Sequence, residues 1–183
     1  MKNMRILAIG AHPDDLEILC AGTLAKYSER KHKVFMAHLC NGDLGGKNIT
    51  PAELARVRKI EAQKAAKLIC AEELGGIASD LDLYADRETR KKVVDIIRYA
   101  RPDVIFTHSP DDYMPDHVIT SKLVFDAAFA ATLPNYKTKS KVHESIVPIY
   151  YMDTMAGINF FPTDYVDITE TTGIKKKMLL CHK

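Results

Sequence analysis

Two short stretches concentrate the residue types that hold cations and move protons. The first, AHPDDLE (residues 11–17), places His12, Asp14 and Asp15 directly after an apolar run. The second, HSPDDYMPDH (residues 108–117), follows the apolar run DVIFT and carries two histidines and three aspartates. His12 and Asp15 stand three apart at an expected helix entrance, with Pro13 suited to the first turn. Positions i and i+3 share a helix face, so an imidazole nitrogen and a carboxylate oxygen can reach one ion. Asp14 lies roughly 100° round the same turn and is left to face a water held by that ion. His117, from the second stretch, is the expected third donor. Two histidines, one carboxylate and an open water position form a donor set that suits catalytic Zn²⁺. Such an ion lowers the pKa of its water toward ~7, and a neighbouring carboxylate can take the proton. Capping of a helix N-terminus explains one of the two acids at 14 and 15. It explains neither His12 nor a second acid-rich loop.

For these stretches to meet, the elements before them must be neighbours. Met4 to Gly10 reads as a strand, Leu16 to Arg30 as a helix, and Val34 to Cys40 as a second strand interrupted by His38. A glycine-rich loop, NGDLGG, follows. Thr50, Pro51 and Glu53 then make a helix start with a capping box, and that helix runs to about Cys70. A short strand is expected within Gly75 to Tyr84, a helix over Asp86 to Tyr99 stopped at Pro102, and a buried strand at residues 103–108. Val118 to Ala131 reads as helix, VPIYYM (147–152) and YVDI (165–168) as late strands, and the segment from Glu170 as a last helix. Strands alternating with helices imply a mostly parallel sheet covered on both faces, a Rossmann-like three-layer α/β sandwich forming one domain over residues 1–183. In the doubly wound order 3-2-1-4-5 the first and fourth strands are adjacent. Their carboxyl ends then form the switch-point crevice where such folds bind ligands.

Composition narrows the function classes. The chain has 183 residues, 46% hydrophobic and 27% charged, with a formal charge of +2, ordinary for a globular protein. No basic run interleaved with aromatics points to nucleic acid, and Lys175, Lys176 and Lys177 read as a solvated face. No apolar stretch reaches the ~18 residues of a membrane span, and no leader pattern is read at the start. The four cysteines, Cys20, Cys40, Cys70 and Cys181, lie far apart in apolar surroundings and read as reduced structural thiols of a cytoplasmic protein.

AHPDDLE after the first strand, NGDLGG after the second, RKIEAQKAAKLI, and RPDVIFTHSPDDYMPDH together resemble the LmbE-like or PIG-L family of zinc-dependent deacetylases, over nearly the whole chain. The resemblance implies a Rossmann-like fold and removal of the acetyl group from an N-acetylglucosamine-containing small molecule. It implies His12, Asp15 and His117 as Zn²⁺ ligands, Asp14 as general base and Arg58 as a substrate-binding residue. The same donor set accommodates Fe²⁺. Asp116, beside His117, is expected to orient that ligand through a hydrogen bond.

The chain departs from the family at two places. The family reads His-Pro-Asp-His where this chain reads Met114-Pro115-Asp116-His117. The histidine expected to hold the oxyanion and protonate the leaving amine is thus a thioether, which donates no proton. Loss of such a group costs about 10²–10³ in rate, which leaves a metal- and sugar-binding protein with weak or no turnover as the alternative. His108, Asp112 and Tyr113 are candidate substitutes, each with a simpler role at a strand end, in a turn or in packing. Relatives also tend to continue past KKKMLLCHK, so one wall of the site is expected to be incomplete. His32, His38 and His143 read as structural or solvated, and homo-oligomerisation is left open.

Overall fold

The structure, a computed structural model, describes residues 3–183. Five parallel strands form one sheet in the order β3-β2-β1-β4-β5, the doubly wound order expected. The chain runs β1 (Arg5–Gly10), α1 (Asp15–Leu19), α2 (Ala21–Glu29), β2 (Lys33–His38), α3 (Pro51–Leu68), β3 (Glu72–Glu73), α4 (Arg87–Ala100), β4 (Val104–Thr107), α5 (Pro115–Ala130), β5 (Ile149–Tyr151) and α6 (Thr172–Leu179). β1 is central, and its side chains from Ile6 to Ile9 are wholly buried. Alternation along the strand divides them. Leu7 and Ile9 meet Val93, Ile97, Leu123 and Val124 of α4 and α5. Ile6 and Ala8 meet Leu16, Leu24, Ala65 and Met178 on the other face.

Register fixes what the site needs. Ile9 of β1 pairs with Thr107 of β4, so the chain leaves both strands at the same level, into Ala11-His12 on one side and His108 on the other. Gly10 pairs with His38 of β2, which brings the NGDLGG loop to the same edge. The capping box forms as expected: the Thr50 hydroxyl accepts the Glu53 N–H at 3.3 Å, and the Glu53 carboxylate accepts the Thr50 N–H at 3.3 Å. At the N-terminus of α4, Asp86 accepts the Thr89 N–H at 2.7 Å.

Several local expectations are corrected. The first helix is broken at Cys20, whose backbone (φ −135°, ψ 2°) leaves the helical region. The third strand precedes the expected span, because Gly75 turns at φ +72° and residues 75–84 become loop, bridged to the end of β2 at Cys40–Ala78 and packed on the core through Leu83. YVDI is not a strand. No neighbouring strand accepts it, Tyr165 is 84% exposed, and Asp167 folds the chain by accepting the Thr169 N–H at 2.9 Å. Cys70 is exposed rather than set in apolar surroundings. Among the described residues no helix is long and apolar enough to cross a membrane.

The break at Cys20 lets α2 approach the segment before α6. A Cβ on Gly22 would stand 2.8–2.9 Å from three atoms of Ile168, its branched Cβ included, and the Gly22 carbonyl accepts the Thr171 hydroxyl at 2.8 Å. Helix propensity alone favours alanine there by about 1 kcal/mol. Overpacking against a branched side chain costs about 1–3 kcal/mol and should prevail. Gly22→Ala is expected to lower the thermal midpoint by a few degrees in a calorimetric scan, and a raised midpoint would show that Ile168 yields.

Candidate functional site

The turn after β1 is shaped by close backbone approach. A Cβ on Gly10 would press within 3.2 Å of Asp15 and Leu16 side chains, so α1 starts tight against the strand end. The Ala11 N–H donates to His108 Nε2 at 2.9 Å, and the His12 N–H donates to the Asp15 carboxylate at 2.6 Å. Asp14 has φ 116°, a region that costs a non-glycine residue on the order of 1–3 kcal/mol. The two adjacent acids therefore part by backbone torsion rather than by helical rotation. Asp15 turns inward and is 4% exposed, whereas Asp14 turns toward the rim and is 30% exposed. Asp14 occupies the N-cap position yet makes no side-chain capping bond, so capping does not account for it.

Asp15 is where the two loops meet. Its carboxylate lies 3.5 Å from His12 Nδ1, 3.3 Å from His117 Nε2 and 3.1 Å from His108 Nε2. Burial alone would push its pKa up, but contacts with His108, His117 and His12 outweigh burial and hold it well below the usual carboxylate range. The same contacts work in reverse on the imidazoles. Burial depresses His12, but Asp15 and Asp116 lift it to about 9, and Asp15 and Asp112 raise His117 against its own burial. For His108 burial prevails and the pKa falls. Its ring stacks on that of His117 at 3.8 Å between centroids.

His12, Asp15 and His117 each bring one donor atom within 4.8 Å of the others. His117 Nε2 is buried with no hydrogen-bond partner, while its Nδ1 lies 2.9 Å from an oxygen of Asp112. His12 faces Asp15 through Nδ1 and lies 3.0 Å from Asp116 through Nε2. Each imidazole thus has a carboxylate behind it and one nitrogen directed at Asp15, the arrangement by which proteins fix the tautomer of a metal-binding histidine. The residues fit a divalent cation. The expected partner of Asp116 is corrected: it contacts His12 and accepts the Leu81 N–H at 2.8 Å, whereas Asp112 backs His117. Consecutive helical residues diverge by about 100°, so Asp116 does not reach the ring next to it.

Arg58 is not an exposed helix arginine. Its Nη1 lies 3.8 Å from Asp14 and 3.4 Å from Glu61. Gly42, at φ +75°, makes room for it, since a Cβ there would sit 2.9 Å from Arg58 Cγ. Asp43 and Asp80 lock that loop in place. Asp80 accepts the Gly42 N–H at 2.8 Å, and Asp43 accepts the Ser79 hydroxyl at 2.5 Å and the Asp80 N–H at 3.0 Å. Sequence reasoning did not single out Asp43, Asp80 or Glu61, and gave Asp112 only a minor place. The repeated Pro-Asp-Asp in both loops is the one signal that marks Asp112. Met114 caps no backbone N–H with its side chain, and Tyr113 is half exposed. The remaining histidines have structural contacts: His32 accepts the Met4 N–H and His143 pairs with the Pro102 carbonyl, while His38 is buried between acids. A surface cavity beside β5, among Phe106, Tyr150 and Phe161, is lined by none of His12, Asp15 and His117. Convergence of donors, not cavity size, locates this site.

A family model described as "PIG-L: GlcNAc-PI de-N-acetylase" matches residues 7–128, a span that holds all these donors. The diacetylchitobiose deacetylase of Thermococcus kodakarensis is 27% identical over 191 residues, covering 98% of this chain and 69% of that protein. The 4-oxalmesaconate hydratase of Pseudomonas putida is 24% identical over 185 residues, covering 96% of this chain and 71% of that protein. The solved N,N′-diacetylchitobiose deacetylase from Pyrococcus horikoshii superposes with a TM-score of 0.86 at 28% identity, over 97% of this chain and 68% of that one.

Two outcomes are expected for cation uptake. Asp112→Ala removes the carboxylate behind His117 and should weaken Zn²⁺ affinity about 10–100-fold in a competition titration; unchanged affinity would show that Asp112 only shapes the turn. Because His12 is held up to about 9, a proton competes with the ion below that pH. Affinity should therefore rise from pH 7 to pH 9 with protons released on binding, and pH-independent uptake would contradict the donor assignment.

Proposed function

This chain belongs to the PIG-L family, and from that premise we propose that it is a divalent-metal-dependent deacetylase acting on an N-acetylglucosamine-containing small molecule. The observation that carries the proposal is the division of labour between neighbouring acids. Asp15 is sunk among imidazoles with the donors of a metal site, and Asp14 stands at the rim with a carboxylate free to work. His12, Asp15 and His117 would hold the cation, Zn²⁺ or another ion such as Fe²⁺ that accepts two imidazoles and a carboxylate. When bound, it supplies Lewis acidity toward a carbonyl and acidifies a water.

The chain's own residues supply the proton traffic. Burial and then the charge of Asp15 raise the pKa of Asp14, while Arg58 at 3.8 Å opposes the rise. Asp14 is thereby a stronger base than a free aspartate. It takes the proton of the attacking water and returns it to the amine as the amide C–N bond breaks, leaving acetate and a free aminosugar. Arg58 meets the hydroxyls of the sugar. Its guanidinium lies 3.8 Å from Asp14, and two carboxylates, Asp14 and Glu61, already face it. That balance favours a neutral, hydroxyl-rich substrate over the polyacids named for the hydratase relative.

Met114 favours a second reading, a protein that binds metal and sugar with weak or no turnover, since no thioether replaces a proton-donating imidazole. One set of assays separates the readings. Acetate release from N-acetylglucosaminyl compounds is expected to need the metal, and Asp14→Asn should cut kcat about 10²-fold or more with metal content unchanged. Activity that survives both a chelator and Asp14→Asn would overturn the deacetylase mechanism. Turnover in the parent protein refutes the second reading, whereas turnover gained only with Met114→His supports it. Hydration of 4-oxalmesaconate without any acetate release would move the chain to the hydratase branch.

A further inference from the structure

Behind Arg58 lies a line of buried titratable side chains that none of these steps uses. Glu61 is 6% exposed and approaches Arg58 Nη1 at 3.4 Å with Oε2. Its other oxygen accepts the Lys183 N–H at 3.1 Å. His182 stands beyond it, with Nδ1 3.8 Å from Glu61 Oε2 and Nε2 3.5 Å from Glu17 Oε1. On the far side of Glu17, His38 Nε2 lies 3.7 Å from Oε2. Acid and base therefore alternate from Glu17 through His182 and Glu61 to Arg58 and Asp14, and exposure rises along that line from 0% at Glu17 to 30% at Asp14. Both oxygens of Glu17 and both ring nitrogens of His182 lack hydrogen-bond partners. They stand instead at ion-pair distance, 3.5 Å from His182 Nε2 to Glu17 Oε1, and a buried polar group persists only while its partner is present.

The arrangement gives Arg58 a direction. An i,i+3 pair on an open helix face contributes little and fixes nothing. Here the acceptor is buried and fastened from behind by His182 and a backbone N–H, so the guanidinium has one anchored carboxylate inward and the Asp14 carboxylate outward. We propose that Glu61, backed by His182, is a positioning residue that holds Arg58 at the rim in the orientation that meets substrate. This inference rests on the reading of Arg58 as a substrate contact.

Glu61→Gln keeps the shape and the acceptor for the Lys183 N–H but removes the charge. In metal-loaded protein labelled with ¹⁵N-arginine, the variant is expected to speed Nε–H exchange of Arg58 at least tenfold. With N,N′-diacetylchitobiose as probe substrate, or the most active compound of the acetate-release screen, KM should rise about tenfold while kcat stays within about twofold. Arg58→Ala should raise KM at least as much, and the double variant should equal Arg58→Ala alone. Unchanged Arg58 exchange in Glu61→Gln overturns the inference, as do effects that add to those of Arg58→Ala. A fall in kcat and thermal midpoint at constant KM assigns Glu61 a merely structural role and overturns it too. If Arg58→Ala leaves KM unchanged, the substrate-contact reading itself fails, and the exchange rates still report whether Glu61 positions the side chain. Should Glu61→Gln not fold, His182→Gln takes its place, with faster Arg58 exchange expected and an unchanged rate overturning the arm.

Discussion

A carboxylate cannot be sunk to 4% exposure without compensation, and Asp15 is compensated by three imidazoles drawn from two loops. That constraint organises the rest of the site. It pulls His12 and His117 to one point, leaves a buried ring nitrogen of His117 without a hydrogen bond, and sets Asp116 behind His12 and Asp112 behind His117. Around Asp15 stand imidazoles that can give up their protons and turn to a divalent cation.

The sheet makes the convergence attainable. Residues 12 and 117 are about a hundred positions apart in sequence, yet the parallel β1–β4 register sets Ile9 against Thr107, so both loops leave the sheet at one level. β2, paired to the other side of β1, delivers the loop whose Gly42 admits Arg58. Asp43 and Asp80 then tie that loop to the segment after β3 by reciprocal bonds to backbone N–H groups. The backbone strain falls on Asp14, where an unfavourable φ separates its carboxylate from that of Asp15 beside it. Strain of this kind persists where surrounding contacts over-determine the conformation, and here tight packing of Gly10 and the His12–Asp15 bond do so.

Much of this was legible from residue types. Near-continuous apolar runs at β1, β2 and β4, separated by helical patterns, give a parallel doubly wound sheet, and Thr50-Pro51-x-Glu53 gives its capping box. The meeting of His12, Asp15 and His117 was expected from spacing and from the switch point of that sheet, and their donor atoms do converge. What escaped depends on tertiary direction. Asp116 was paired with its sequence neighbour, but adjacent positions on α5 face apart, and it is Asp112 from the loop that reaches the ring. The parting of Asp14 from Asp15 was expected from helical rotation, whereas a left-handed torsion produces it. YVDI has strand-forming residues but no neighbour to pair with, since pairing is not a local property. Glu61 lies in the RKIEA stretch, where only Arg58 was given a role, and His182 lies in no ligand-rich stretch. Each is an ordinary helix or tail residue until the fold packs α6 against α1 and α3.

One observation bears on the account more directly than any other: anomalous diffraction from crystals of the metal-loaded protein, collected at the edge of the ion that chemical analysis finds. The account predicts a single strong peak about 2.0–2.2 Å from His12 Nδ1, an Asp15 oxygen and His117 Nε2, with Asp14 outside bonding distance. A peak held by other side chains, or a loaded ion that leaves Asp15 and His117 in contact with each other, would contradict it.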